Sequence, residues 1–214
     1  LVPGFKKQNP ASKIDYLKSN KRGALTMDSI QISPAVTPNP NTIKFAVNRL
    51  FFKTGTCNFP DRQNTGQSQM ASKLFEHEAV AGVLIGPDFV AVTKSPEADW
   101  QRVLPAIHQM LRDFLLSGAP VVDETLLPPD THNGPTDPFE DIRTRIVALI
   151  EKKIRPVLVE DGGDVEFRGY ENGVVQLHLQ GACRSCPNAT KTLKAGIENF
   201  LKRMIPEIQE VISV

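Results

Sequence analysis

Cys183-Arg-Ser-Cys186 is the stretch in which residue type and spacing together could do chemistry. Two thiols three residues apart, in a loop that opens a helix, can turn both sulfurs toward one centre. The helix N-terminus offers free N–H donors and partial positive charge, and Arg184 adds a full charge. Each lowers a thiol pKa and favours the thiolate, the species that ligates metals and attacks disulfides. Three chemistries share such a pair: a zinc site, an iron–sulfur cluster and a catalytic dithiol. Zinc and the cluster each ask for four ligands. The chain has 3 cysteines, and its 4 histidines, at 77, 108, 132 and 178, stand at no ligand spacing from the pair. Either metal reading therefore needs a second chain, and two-fold symmetry supplies Cys183 and Cys186 twice at one shared site. A dithiol enzyme needs no second chain. A thioredoxin-like enzyme, however, carries its CxxC early, after the first strand, whereas this pair comes late and follows a hairpin.

The elements that must position the pair are legible around it. After Pro138 a helix is predicted, with Ile142, Ile146, Ile150 and Ile154 at i+4 spacing on one apolar face. Pro156 is expected to kink or restart it, and Asp161-Gly162-Gly163 to stop it. A strand over 164–170 alternates Val165 and Phe167 against Glu166 and Arg168, and Asn172-Gly173 is a strong hairpin signal. Val175, Leu177 and Leu179 line the return strand, which leads into the loop Gly181 to Pro187. The next helix carries Leu193, Ile197, Phe200, Leu201 and Met204 on one face, and Ile208 to Val214 supply a last strand. The predicted order is α-β-β-α-β, a small sheet with helices on one face.

Upstream, the 214-residue length suits one or two domains. Residues 123–137 are rich in Pro, Gly and acids without apolar periodicity, and read as a linker between blocks 28–122 and 138–214. The first block reads as a turn at Thr37-Pro-Asn-Pro-Asn41, a strand over 42–47, loop over 53–68 and a short helix over 68–78. A hairpin of 80–85 with 89–93 follows, then a helix capped by Asp99 and ended by Gly118. Both blocks are α+β.

The net charge of +1 hides a basic leader, residues 1–27, and the acidic linker, around two balanced blocks. Neither block has the basic bulk that phosphate contacts require, which disfavours nucleic acid as a partner. The longest apolar tract, Val80 to Val92, is broken by Pro87 and Asp88 and is shorter than the roughly 20 residues of a membrane span. No apolar h-region opens the chain, and three cysteines do not make a disulfide-stapled fold. The basic leader is expected to be disordered and has the composition of a transit-peptide remnant or an added extension.

Arg155-Pro156, Glu160-Asp-Gly-Gly-Asp164, Asn172-Gly173, Gly181-x-Cys-x-x-Cys-Pro187, Thr192-Leu193, Gly196-Ile197 and Pro206-Glu207 together resemble the C-terminal domain of NifU and the Nfu iron–sulfur carriers. Residues 36–122 resemble the Nfu N-terminal domain through Thr37-Pro-Asn-Pro-Asn41, Phe59-Pro60, Gly86-Pro-Asp-Phe89, Thr93-Lys94, Asp99-Trp100 and Phe114 to Pro120. The resemblance implies a non-enzymatic scaffold and carrier, a homodimer when loaded, in which Cys183 and Cys186 hold a [4Fe–4S] cluster shared between two subunits. It implies apo iron–sulfur proteins and other assembly proteins as partners, no membrane, and the mitochondrial matrix or a bacterial cytoplasm as the compartment. A dimeric zinc module and a monomeric dithiol oxidoreductase are the rival readings.

Other residues are expected to be structural. Cys57 reads as inert and buried, and Trp100 as a packing anchor. Asp161 and Asp164 read as turn residues, with Gly162 and Gly163 supplying positive φ. Mid-helix Gly196 suggests close packing, His178 a solvent-facing or interface position, and the lysines of the last helix a solvated face. The N-terminal block shows no nucleophile–base pair or phosphate loop, and reads as a module for dimerisation or client recognition.

Overall fold

A computed structural model describes residues 30–123, 138–184 and 189–214, with no account of the side chains of 138–141 and 189–191. The predicted leader, nearly all of the predicted linker and Cys186 lie outside the described residues.

The N-terminal part forms five strands: β1 (Ile32–Val36), β2 (Thr42–Val47), β3 (Cys57–Phe59), β4 (Val80–Ile85) and β5 (Phe89–Lys94). They make one antiparallel sheet in the order β1-β2-β5-β4-β3. Helices α1 (Gln69–Leu74) and α2 (Trp100–Ser117) cover one face through Met70, Leu74, Ile107 and Leu111, packed on Phe45, Ile85 and Val92. Ser68 and Asp99 cap these helices by accepting from Ala71 N and Gln101 N, and Gly118 ends α2 at φ 72°. Two strands were not expected. β1 is an edge strand that tolerates Pro34 and exposes most of its side chains, so it lacks an apolar signal. β3 is three residues long inside the stretch read as loop.

The apolar runs of β4 and β5 barely alternate because both faces of the sheet are covered. Leu84, Phe89 and Ala91 turn away from α1 and α2 and pack with Val159 of the C-terminal part.

That part begins with α3 (Pro138–Leu149), runs through a π-helical turn (Ile150–Ile154) and continues as α4 (Arg155–Glu160). The π turn explains the strict i+4 spacing. In a regular helix a four-residue step overshoots a turn of about 3.6 residues, so an i+4 row drifts around the axis. A wider i→i+5 turn takes up the drift. Ile146, Ile150, Ile154 and Leu158 therefore stay buried in one core. Pro156 sits in the first turn of α4, where its missing N–H does least harm.

Strands β6 (Gly163–Glu171) and β7 (Val174–Gly181) form the predicted hairpin, with Asn172 and Gly173 at φ 51° and 81°. A bulge at Arg168 shifts the inward phase, so Val165 is buried before it and Tyr170 after it. Helix α5 (Ala189–Met204) leads to β8 (Glu210–Ser213), which pairs parallel to β7. One expected core residue is displaced: Met204 is 48% exposed, and Ile205, just past the helix, takes the buried place. The described elements are α+β, and the C-terminal part follows the expected α-β-β-α-β order.

Candidate metal centre

Cys183 follows the last residue of β7 in a tight turn. Its N–H donates to the Gln180 carbonyl at 3.3 Å, and the Arg184 N–H donates to the Gly181 carbonyl at 3.2 Å. The Ala182 N–H donates to the Gly162 carbonyl at 3.0 Å, tying this loop to the turn that opens β6. Register sets Gly163 opposite Gly181. The consequence is a close approach: a Cβ on Gly163 would lie 2.2 Å from Cys183 Sγ and 3.1 Å from both its Cβ and its N. Only hydrogen leaves room for the sulfur.

This corrects one expectation. Gly162 does adopt positive φ, at 75°, but Gly163 does not, and clearance for Cys183 is the reason for glycine there. Asp164 is corrected as well. It is a buried carboxylate whose Oδ1 accepts from Arg155 Nε at 2.9 Å and from the Val165 N–H at 2.7 Å. Its Oδ2 accepts from the Thr56 hydroxyl, across to the N-terminal sheet. Asp161 is the C-cap of α4, and burial, then neighbouring Glu160, push its carboxyl pKa up, with Lys44 opposing.

The Cys183 side is enclosed. The residue is 6% exposed and faces a cavity of about 60 Å³ lined by Pro38, Asn39, Leu158, Asp161, Ala182 and Leu193. Asn39 Nδ2 donates to the Ala182 carbonyl at 2.8 Å, so the N-terminal sheet forms part of the wall. Arg184 is exposed beside it. Of the two predicted ligands, Cys183 is placed here and Cys186 lies outside the described residues.

Cys57 lies elsewhere, on β3 in the N-terminal core, and burial pushes its thiol pKa up. It is an apolar packing residue. His77 Nδ1 accepts from the Ala79 N–H at 3.2 Å, His108 Nε2 is 3.3 Å from the Ile32 carbonyl, and His178 Nδ1 is 2.6 Å from the Val214 carbonyl. Among the described residues, no three His, Cys, Asp or Glu side chains converge as a metal site, and no helix is long and apolar enough to cross a membrane. The close packing expected at Gly196 is not found among the described residues: a Cβ there would meet none of them within 4 Å. It opens on an apolar groove of about 570 Å³ between α4 and α5, lined by Val157, Leu193 and Phe200.

Gly163 and Asn39 were missed from the sequence. Counting hairpin register outward from Asn172-Gly173 brings Gly163 to the cysteine loop but one residue out of place, because of the bulge at Arg168.

Two family models match the chain. "Scaffold protein Nfu/NifU N terminal" covers residues 30–118, beginning earlier than residue 36, and "NifU-like domain" covers residues 146–212. The Homo sapiens "NFU1 iron-sulfur cluster scaffold homolog, mitochondrial" is 42% identical over 181 residues, covering 83% of this chain and 69% of its own. The Drosophila persimilis protein of the same description is 36% identical over 214 residues, covering 100% of this chain and 71% of its own. A relative of that description in Drosophila ananassae is 38% identical, with 62% of its length covered. Among solved structures, a NifU-like protein from Saccharomyces cerevisiae is 24% identical with a TM-score of 0.40, covering 50% of this chain and 98% of its own.

Proposed function

Since the chain belongs to the Nfu family of iron–sulfur cluster scaffold proteins, we propose that two copies hold one [4Fe–4S] cluster through Cys183 and Cys186 of each and pass it to apo-proteins. The cluster is cargo. In transfer a client thiolate bonds to an iron as a Cys183 or Cys186 thiolate leaves it, so ligands exchange one for one and no electron need move. Such exchange suits a junction between subunits better than a closed four-cysteine cage. No general acid, base or covalent intermediate is required, and the role is that of a carrier and not an enzyme. The proposed division is a client- or partner-binding unit at 28–122, a linker at 123–137 and the cluster unit at 138–214. A reducing compartment, mitochondrial matrix or bacterial cytoplasm, keeps the thiols available.

The observation that carries this reading is the clearance kept for Cys183 Sγ over Gly163 in a chain whose relatives are named as iron–sulfur scaffolds. Anaerobic reconstitution with iron and sulfide, followed by metal and sulfide counts and sizing, tests it. About four irons per two chains are expected for a single [4Fe–4S] cluster, with loss of stable binding in Cys183→Ser and in Cys186→Ser. Four-thiolate zinc in a colourless dimer, or disulfide exchange by a metal-free monomer, would refute it. Transfer is read by activation of an apo iron–sulfur client.

A further inference from the structure

The Thr37-Pro-Asn-Pro-Asn41 turn is built as a rigid pedestal. The Thr42 N–H donates to the Asn39 carbonyl at 2.9 Å, the Asn41 N–H donates to Asn39 Oδ1 at 3.0 Å, and the Thr37 hydroxyl donates to the Asn39 carbonyl at 3.0 Å. Trp100 Nε1 donates to the Pro40 carbonyl at 3.0 Å, and Lys94 Nζ to Asn41 Oδ1 at 2.9 Å. Trp100 is therefore more than a packing anchor. This scaffold presents one group outward: the Asn39 amide, buried at 1% exposure, which donates to the Ala182 carbonyl next to Cys183.

Three further contacts join the same two surfaces. Lys44 Nζ, 4.4 Å above the Phe89 ring, donates to the Val159 carbonyl at 2.8 Å and the Glu160 carbonyl at 3.4 Å. These are carbonyls at the C-terminal end of α4, where a cation is favoured; that of Val159 also accepts from the Gly162 N–H at 3.1 Å. The Thr56 hydroxyl reaches Asp164, and Val159 packs on Leu84, Phe89 and Ala91. The space left at Cys183 is about 60 Å³, room for a few waters. The N-terminal turn, through Pro38 and Asn39, forms part of its wall.

We propose that the N-terminal sheet is a tethered cap on the cluster loop, with Asn39 as its latch, that holds Cys183 shut in the empty chain. It must lift before a second copy can share a cluster. The second half rests on the cluster reading above. The first half does not, and the two fail separately.

Alkylation of Cys183 by iodoacetamide in the full apo chain, followed by peptide mass, measures the cap without any cluster. Two variants loosen it: Asn39→Ala, and Lys44→Ala with Thr56→Val, which leaves the turn intact if the first perturbs folding. The wild-type rate at Cys183 is expected to lie at least about tenfold below that of the same chain in urea. The double variant should raise it about tenfold, with a larger radius of gyration by solution scattering. That factor corresponds to about 1.4 kcal/mol. Equal rates in wild type and both variants, or a wild-type rate equal to the unfolded one, overturn the cap. Faster labelling together with faster cluster uptake supports both halves. Faster labelling with no cluster under reconstitution supports the cap and refutes the cluster reading.

Discussion

Replacing Gly163 with alanine puts a methyl carbon 2.2 Å from Cys183 Sγ, against 3.4 Å for the near edge of ordinary contact, a shortfall of about 1.2 Å. Turning the cysteine about χ1 would carry the sulfur away from its present place, and Cys183 Cβ and N, at 3.1 Å from the new carbon, would still have to give by a few tenths of an ångström. The backbone of the loop or of β6 must shift. Overpacking of this kind costs about 1–3 kcal/mol, and the β6–β7 ladder that sets Gly163 against Gly181 resists the shift, which argues for about 2 kcal/mol within that range. A ligand sulfur moved by about an ångström also exceeds the roughly 0.2 Å tolerance of metal–ligand distances. Urea denaturation of the apo chain should show that loss in the C-terminal transition, and reconstitution should yield severalfold less cluster. Gly169→Ala on the same strand is the control, since its Cβ would approach nothing closer than 3.8 Å and should change both readouts little. If Gly163→Ala matched wild type in stability and in cluster yield, the steric account of the site would be wrong.

Three other substitutions probe separate parts of the molecule. Cys57→Ser should leave cluster yield unchanged while lowering stability by about 1–2 kcal/mol, because a hydroxyl replaces a thiol in an apolar core. Gly196→Ala should stabilise the apo chain by up to about 1 kcal/mol through helix propensity alone, as none of the described residues stands within 4 Å to obstruct the methyl; denaturant midpoints report it. Glu198→Gln tests a pH dependence. The hydrogen bond from Lys202, then that from the Val211 N–H, hold the Glu198 carboxyl below its ordinary value of 4.5. Its contribution to stability is therefore present above about pH 4.5 and lost as pH falls through the lower folded value. The wild type should exceed Glu198→Gln in denaturant midpoint at pH 7, and the gap should close on acidification.

What the sequence conveyed depended on how local each signal was. Asn172-Gly173, the Asp99 cap and the Gly118 stop each act within a few residues, and each is found where expected. The Arg168 bulge sends no such signal, because its cause lies across the ladder, yet it decides the site. An unbroken hairpin from Glu171 and Val174 would set Gly163 opposite Ala182 instead of Gly181. Cys183 could be nominated as a ligand from its CxxC spacing, whereas the Asn39 contact to the neighbouring Ala182 carbonyl joins residues 143 positions apart and left no local trace. β1 escaped notice because an exposed edge strand containing Pro34 carries no alternating pattern. The near-continuous apolar runs of β4 and β5 read only as a hairpin, and it took the structure to show that both faces of their sheet are covered.

Asn39, Lys44 and Thr56 belong to the same chain as the loop they touch. Their contact is first-order, so dilution leaves it intact, while any site assembled from two chains is second-order and weakens with dilution. Abundance then becomes a control variable. Under the proposed cap, low protein concentration would favour the sealed single chain, with its thiol sheltered from oxidants. If two chains share the site, raising the local concentration would shift the balance toward the open pair without any change to the sequence.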